Sequence, residues 1–362
     1  MPATPHQASI ISGEEDFLGL REEWDRLFAR AAAPYPSQGF TWCRCTWEML
    51  LRPRGGRLRC VAIRAGGRLR LIWPTVVMPH HRLWSVLVPL NVVEYTDVLA
   101  EAGADAGELA ALAWKTLQAG CRADFIFLER VRAGSLLSDA LRDAGVAVSR
   151  IRPAPCVTWG EAGWDAYYRG LSKTLRSQTE RRQRRLAERG RPEFEVVGEG
   201  ERYRALASWL LDQKAAWLAR TGRRSEWIGA PDYTQFVRAI PDRLAADNAA
   251  GAVTIFALRL GETVLAAELN CVGEHAVEFM NGAYDPAYEH FSPGHILRAY
   301  TLRWAFDRGL TYDFRPGEER YKEAYANGGC DTANYYLTNS LRGRLHHGLA
   351  AAARRLSRRE KS

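Results

Sequence analysis

The segment Ser292-Pro293-Gly294-His295 has the composition of a helix start that can bind an anion. Serine is a favoured N-cap residue, and proline is well tolerated in the first helical turn. The first amide groups of a helix lack partners within the helix and carry partial positive charge, so a phosphate is a natural ligand there. We therefore predict that this segment binds a phosphate-bearing ligand, with His295 or Arg298 as a basic helper. A capped helix start without a ligand is the alternative.

Groups that can stabilise charge follow this helix start. Asp313 ends a predicted strand beside the helix, and Tyr321 and Lys322 come shortly after it. A cation directed at developing negative charge stabilises it strongly in a site that excludes water. The alternatives are structural, with Asp313 as a turn residue and Lys322 as the partner of Glu318 in a helical salt bridge.

Carboxylates and phenols around the predicted strands are candidates for proton transfer. A group transfer to an amine or a hydroxyl needs a base for the acceptor and an acid for the leaving group. The candidate bases are Glu268, Glu278 and Asp285. The candidate acids are Tyr284, Tyr321 and Tyr325. Each residue also has an ordinary packing or surface role, and the sequence leaves the choice open.

The overall composition is that of a globular protein with more than one core. A chain of 362 residues suits two domains, and 47% of the residues are hydrophobic and 25% charged. The longest apolar stretch, residues 83–93, is too short to span a bilayer, and no signal peptide is evident, so we expect a cytoplasmic protein. The seven cysteines show no metal-binding spacing, which predicts reduced thiols and no metal.

Positive charge is concentrated in two segments. The net charge is +8, and residues 173–191 contain eight Lys or Arg and two acidic residues. A solvated helical face is one explanation, and binding of a phosphate-rich partner is the other. Residues 341–362 carry leucines at helical spacing among arginines, which predicts an amphipathic helix that lies on a membrane surface or docks on its own domain.

The two halves of the sequence repeat one order of elements. Each half has a tryptophan-bearing helix, a hairpin that turns at glycine, and later a helix, a glycine and a strand. The matching positions, 189 to 190 residues apart, are Trp114, Gly120 and Asp124 in the first half and Trp304, Gly309 and Asp313 in the second. This order indicates a duplication. The first half has Asp105-Ala106-Gly107 at the position of Ser-Pro-Gly, so we expect the second half to carry the chemistry.

Taken together, these motifs resemble the GNAT acyltransferase superfamily. Within it they are similar to the CelD-type proteins of bacterial polysaccharide biosynthesis, which resemble in turn the FemABX peptidoglycan aminoacyltransferases. The likeness spans about residues 155–335 and is carried by Leu171, Arg176, Gly261-Glu262, Ala266-Ala267, Gly282 to Pro286, Tyr288, Ser292 to Gly294, Gly309, Asp313-Phe314, Gly317-Glu318 and Tyr321-Lys322.

This resemblance implies an α/β fold of two tandem GNAT-like domains, each a mixed, mainly antiparallel twisted sheet flanked by helices. The expected divisions are residues 8–152, 153–340 and a tail at 341–362. The implied reaction moves an acyl group, acetyl above all, from acyl-CoA to a hydroxyl or amine of a polysaccharide or envelope precursor. One alternative is an aminoacyl-tRNA-dependent transferase, and another is a non-catalytic scaffold, which would place the protein at the inner membrane through its basic tail.

The resemblance also distributes roles among the candidate residues. The expected donor-binding residues are Ser292, Pro293, Gly294, His295 and Arg298. The expected catalytic residues are Lys322, Asp313, Tyr284 and Glu268. The expected acceptor-binding residues are Tyr321, Asp285 and Arg176.

Overall fold

The computed structural model describes residues 5–80, 83–91, 94–161, 163–317 and 319–345. Within them the chain forms two compact units, one of residues 5–151 with 331–345 and one of residues 152–330. The second unit is thus inserted into the first in chain order. The domain boundary expected at residue 340 differs from this division, because the spacing of motifs does not show with which sheet the last strand pairs.

The elements in the described residues are as follows. The helices are α1 (Glu14–Leu18), α2 (Arg21–Phe28), α3 (Phe40–Thr46), α4 (Ala106–Gly120), α5 (Leu136–Asp143), α6 (Gly163–Gly170), α7 (Lys173–Ala187), α8 (Gly200–Thr221), α9 (Pro231–Ala246), α10 (Pro293–Phe306) and α11 (Arg320–Tyr325). The strands are β1 (Gln7–Ile11), β2 (Arg57–Leu58), β3 (Cys60–Ala65), β4 (Arg68–Trp73), β5 (Thr75–His80), β6 (Trp84–Pro89), β7 (Leu99–Ala100), β8 (Phe125–Arg132), β9 (Arg150–Val157), β10 (Pro192–Val197), β11 (Ala252–Leu260), β12 (Thr263–Val272), β13 (Ala276–Tyr284), β14 (Thr311–Asp313) and β15 (Gly328–Thr338).

The first unit holds two groups of strands around α4. One sheet has the order β1-β3-β4-β7, and the other strands run in the order β15-β8-β6-β5-β2. The predicted hairpin is confirmed, since β3 and β4 pair antiparallel across Gly66 and Gly67. Both glycines have positive φ, 57° and 77°, which is why a tight turn forms there. Trp73 and Trp114 are buried in the core that α4 covers.

The second unit has strands in the order β10-β11-β12-β13-β14-β9. The hairpin of β11 and β12 turns at Gly261, whose φ is 57°, as the sequence predicts. Alternating apolar residues bury one face of these strands against α10, and Phe256, Tyr312 and Phe314 lie fully buried in that core.

Each unit contains one parallel pair of strands joined through a helix. In the first unit β6 is parallel to β8, and α4 lies between them in sequence. In the second unit β13 is parallel to β14, and α10 lies between them. The pairings of β3 with β4, β10 with β11, β11 with β12 and β12 with β13 are antiparallel. The predicted fold class, mixed α/β with mainly antiparallel sheets flanked by helices, is confirmed.

Several local predictions need correction. The apolar spacing of residues 12–29 predicts one helix, but the structure has two, because the chain turns at Gly19 and Leu20 between α1 and α2. Ser12 and Glu15 have the spacing of a capping box, but the N-cap of α1 is Gly13, which has no side chain to cap the helix. The sequence also predicts a helix near residues 42–51; α3 forms its first part, and the chain continues as a π-helical turn, Trp47–Leu51.

The described residues place limits on other expectations. Among them, no helix is long and apolar enough to cross a membrane, and no cluster of three or more His, Cys, Asp or Glu is arranged to hold a metal ion. Six cysteines are buried free thiols and Cys330 is partly exposed. Residues 341–345 form a helical turn with Leu341 and Leu345 exposed, and the rest of the predicted amphipathic tail lies outside the described residues.

Candidate active site

A cleft of about 490 Å³ opens in the second unit where its parallel strands separate. β14 pairs with β13 only from Ala276 to Glu278, and β13 then continues to Tyr284 without it. The continuing part of β13 lines the cleft together with the start of α10, the middle of α8 and part of α11. A crevice at the carboxyl ends of parallel strands is where α/β proteins commonly bind ligands.

The start of α10 lies on the cleft, as the sequence predicts. Ser292 adopts a left-handed conformation with φ 49°, which is uncommon for a residue with a side chain and points the chain into the helix. The His295 amide donates to the Ser292 carbonyl over 3.0 Å. The Gly294 amide makes no hydrogen bond within the described part of the chain, and no atom lies within 4 Å of the position of a Cβ there. Fewer bare amides are present than expected, but Gly294 provides one beside open space.

His295 also lines the cleft, with a different character from the cationic helper considered in the sequence analysis. Its Nδ1 lies 3.0 Å from the hydroxyl of Tyr325. Burial, and next the charges of Arg182 and Arg298, lower the pKa of His295 below its ordinary value. The imidazole is therefore neutral near pH 7 and can accept a proton, but it adds no positive charge for a phosphate.

Glu268 and Arg298 form a buried ion pair at the base of the cleft. Arg298 Nη2 lies 3.1 Å from Glu268 Oε1, and the residues are 4% and 3% exposed. Thr301 and Tyr312 donate to the other carboxylate oxygen over 3.2 and 3.4 Å. Burial raises the pKa of Glu268, and Arg298 and then Thr301 oppose that shift. Because its oxygens are already occupied, Glu268 is positioned as a structural partner rather than as a free base.

Four aromatic rings enclose the guanidinium of Arg298. The ring centres lie 4.6 to 5.8 Å from its Cζ and belong to Phe279, Tyr312, Phe314 and Tyr321. Such contacts stabilise a desolvated cation. Arg298 was expected to assist at a phosphate, but the structure holds it in the base of the cleft instead.

Lys322 is buried beside the cleft and does not line it. Its Nζ donates to the carbonyls of Arg315 and Pro316 over 3.2 and 3.4 Å and pairs with Glu319 over 3.1 Å. Burial lowers its pKa, and Glu319 opposes the shift. The helical salt bridge considered for Lys322 therefore uses the residue three positions earlier, and Glu318 lies outside the described residues. This geometry gives Lys322 a positioning role, because it fastens the loop that carries Glu319 into the cleft.

Asp313 stabilises the same loop from its other end. Its Oδ1 accepts the Arg315 amide over 2.6 Å, and Arg315 has φ 60°. A carboxylate that holds an amide two residues later is the usual way to stabilise such a turn. Asp313 is 3% exposed and is not part of the cleft lining. The structural alternative considered for Asp313 is the one that the geometry supports.

All three candidate phenols, Tyr284, Tyr321 and Tyr325, line the cleft. Tyr284 donates to Glu289 over 3.3 Å, and burial, with Glu289 next, raises its pKa. Burial raises the pKa of Tyr321 to about 12, and Arg298 opposes that shift. Burial likewise raises the pKa of Tyr325, which shares the cleft, to about 12. All three phenols are protonated at neutral pH and can donate a proton.

Two expected acceptor-binding residues lie away from the cleft lining. Asp285 accepts the Ala287 amide over 2.9 Å and caps the turn that precedes α10. Arg176 donates to the Leu171 carbonyl over 3.2 Å at the start of α7. Each hydrogen bond is local, so these residues shape neighbouring turns.

One wall of the cleft, formed by α8 and the residues that follow it, was not predicted from the sequence. We call Lys214, Trp217, Arg220 and Arg223 the α8 cluster; all four line the cleft. Lys214 Nζ and Arg223 Cζ lie 4.5 and 5.1 Å from the centre of the Trp217 ring. Their regular spacing of three residues was the available signal, but the apolar spacing around Trp217 favours a packing role for this residue when the sequence is considered alone.

Most of the residues that form this cleft fall within a segment that matches a known protein family. Residues 173–323 match the family described as Acetyltransferase (GNAT) domain, which covers the α10 start, the ion pair and the α8 cluster. A comparison with curated protein sequences gave no match. The match covers most of the second unit.

Solved structures share the fold over nearly the whole chain. A FemX crystal structure aligns with a TM-score of 0.58 and 12% identity, over 92% of this chain and 98% of that one. The C-terminal domain of a putative lysylphosphatidylglycerol synthetase from Agrobacterium fabrum aligns at 0.52 and 12% identity, over 92% and 96%. A protein of unknown function from Bacteroides thetaiotaomicron aligns at 0.54 and 9% identity, over 91% and 100%. At these identities the likeness defines the fold.

Proposed function

We propose that the second unit is an acyltransferase that moves an acetyl or other acyl group from acyl-CoA to a hydroxyl or amine of a polysaccharide or envelope precursor, as CelD-like proteins are expected to do. The observation that carries this proposal is Gly294: it lines the cleft, its amide has no hydrogen-bond partner among the described residues, and the space where a Cβ would stand is open. The match to a GNAT acetyltransferase domain supports the same donor.

The diphosphate of the donor would lie at the start of α10. A helix terminus stabilises an anion by only about 0.3–1 kcal/mol when exposed and up to ~2 kcal/mol when partly buried, so cations must assist. α7 supplies them: Arg185 lies 5.8 Å from the ring of Phe291, two residues before α10, and the charge of Arg182 acts on His295. These arginines take the role that the sequence analysis considered for His295 or Arg298.

Proton transfer would use the groups that face the cleft. The acceptor must lose a proton and the departing thiolate must gain one. Neutral His295 is suited to accept the first proton, and a protonated phenol, Tyr321 in our proposal, is suited to donate the second. The ion pair of Glu268 and Arg298 would keep Tyr321 in place, because Arg298 contacts its ring.

A charge placed at Gly294 tests the donor site. Gly294→Asp puts a carboxylate beside the proposed diphosphate, whereas Gly294→Ala adds only a methyl group in open space. We expect calorimetric titration with acetyl-CoA to show at least about tenfold weaker binding for the aspartate variant and little change for the alanine variant. An acidic residue in the first turn favours the helix, so unfolding would not explain the loss.

The same titration can reject the proposal. Undetectable binding of acetyl-CoA to the wild-type protein at millimolar donor would remove the acyl-CoA reaction. Equal affinity in the aspartate and wild-type proteins would place the donor elsewhere.

A second candidate function is aminoacyl transfer from tRNA. The observation that favours it is the arginine-rich face of α7 beside the start of α10, since closely spaced arginines suit a nucleic-acid backbone. Replacement of Arg181, Arg182, Arg184 and Arg185 by alanine should then weaken tRNA binding strongly and flatten its dependence on salt. Filter binding over a salt series measures both quantities, and unchanged tRNA affinity would exclude this candidate.

A further inference from the structure

The α8 cluster presents positive charge to the cleft without matching carboxylates. Lys214, Arg220 and Arg223 make no salt bridge within the described part of the chain. Lys214 and Arg223 instead contact Trp217, which orients a cation but leaves its charge intact. Lys214 Nζ also lies 3.5 Å from the Gly282 carbonyl on β13, which directs it toward the cleft floor.

The acidic residues on the same cleft are occupied elsewhere. Glu319, whose charge acts on Lys214, is paired with Lys322 over 3.1 Å. Glu268 is paired with Arg298, and Glu289 accepts the hydroxyl of Tyr284. Lys214 and Lys322 therefore share one carboxylate, and this side of the cleft keeps an excess of positive charge.

We propose that the α8 cluster binds the acidic group of the acceptor, a carboxylate or phosphate carried by a sugar. This inference rests on the proposed acyltransfer and narrows its acceptor from any hydroxyl or amine to a negatively charged one. Lys214 and Arg223 contact the acid, and Trp217 is a positioning residue that holds both cations.

The proposed donor site has its own cations, which lie outside the lining of the cleft. Arg182 and Arg185 of α7 lie by the start of α10, where the diphosphate is placed, whereas the α8 cluster is carried by a different helix. A bound acid also explains why one desolvated cation faces the cleft: burial lowers the pKa of Lys214, and an anion beside it recovers the lost solvation.

Calorimetry on the full-length protein saturated with CoA tests the assignment. The probes are D-glucuronate, glucose 1-phosphate and D-glucose. We expect at least one acid to bind about tenfold more tightly than glucose, and Lys214→Gln with Arg223→Gln to remove most of that preference. The matched control, Lys115→Gln with Arg224→Gln, removes two exposed cations outside the cleft and should keep it.

Trp217 provides an independent arm. Trp217→Leu keeps all the charges but removes the ring that holds Lys214 and Arg223 in place, so the acid should bind a few-fold more weakly. Trp217→Phe keeps an aromatic ring and should restore much of the affinity.

Three results would overturn the inference. Acids that bind no better than glucose exclude an acid subsite, and a preference that survives in the Lys214/Arg223 variant moves it elsewhere. If the Lys214/Arg223 variant no longer binds CoA more tightly than dephospho-CoA, while its affinity for glucuronate is unchanged, then Lys214 and Arg223 bind the donor rather than the acceptor. Failure of the proposed function is distinct, because it appears as absent CoA binding in a separate titration.

Discussion

The starts of α4 and α10 occupy corresponding places in the two units and differ in charge. Each helix connects the strands of a parallel pair, β6 with β8 and β13 with β14. α10 begins after the N-cap Ser292 and has no acidic residue in its first turn, whereas α4 has Asp105 as its N-cap and Glu108 in its first turn. Asp105 contacts Arg70 over 3.0 Å, so its carboxylate is already engaged.

A cavity is present at both helix starts, so the difference lies in the residues rather than in the space. The cavity beside α4, of about 510 Å³, is lined by Ala106 and Glu101, and Glu101 pairs with Arg30, Arg68 and Arg70. The first unit thus supplies its own anions where the second unit leaves an amide available. A shared fold can keep a site open or fill it through the charge of two or three side chains.

The largest expected effect is on the free energy of unfolding, which should depend more on the buried ion pair of the second unit than on the ion pairs of Glu101 in the first. Arg298→Met leaves Glu268 buried without its cation, which should lower the free energy of unfolding by about 3–5 kcal/mol. Arg70→Met leaves the buried Glu101 with two other arginines, Arg30 and Arg68, which are partly exposed, so about 1 kcal/mol is expected. Urea unfolding of both variants measures the two losses in free energy of unfolding. Equal losses would show that the ion pair at the cleft is no more sensitive to the loss of its cation than the ion pairs of Glu101.

Two glycines should respond with opposite signs. An alanine methyl at Gly317 would collide with the amine of Lys322 and the carboxylate of Glu319, so Gly317→Ala should destabilise by about 1–3 kcal/mol and loosen the cleft loop. Gly107, in the first turn of α4, has open space around a Cβ, so Gly107→Ala should stabilise by about 0.4–1 kcal/mol. Thermal unfolding measures both, and destabilisation by the second change would contradict the geometry.

The smallest expected effect is on pH dependence. The pKa of His295 is lowered in the folded protein, so below its ordinary value near 6.5 the unfolded chain binds a proton that the folded chain resists. Stability from this residue is therefore complete above pH 6.5 and declines as the solution is acidified. His295→Asn should flatten that part of the stability curve. An imidazole resonance that titrates at or above pH 6.5 by NMR would refute the shift.

Much of the second unit could be predicted from local pattern. Gly261 between two β-rich runs predicts the hairpin, and Ser-Pro-Gly before an apolar run predicts the start of α10. α9 was not foreseen, because Pro241 lies inside it, and β10 was not foreseen, because its polar residues do not distinguish an edge strand from a loop.

The roles of the site residues were harder to predict, because they depend on contacts between residues far apart in sequence. Glu268 and Arg298 are each plausible surface residues in sequence, and only the packing of α10 on β12 brings them together in the core. Lys322 similarly owes its role to two carbonyls that the chain presents after Asp313. A pattern in one sequence shows which residues can do chemistry, whereas tertiary contacts decide which of them do.

The insertion of residues 152–330 into the first unit affects the order in which the protein is made. β15 pairs with β8 across about two hundred intervening residues, so the ribosome completes the second unit before the first unit receives its last strand. Until translation reaches that strand, one edge of β8 offers unpaired backbone groups, which is the stage at which a nascent chain most needs protection from aggregation. A stop codon just after residue 330 would therefore remove most of β15 and leave that edge of β8 unpaired.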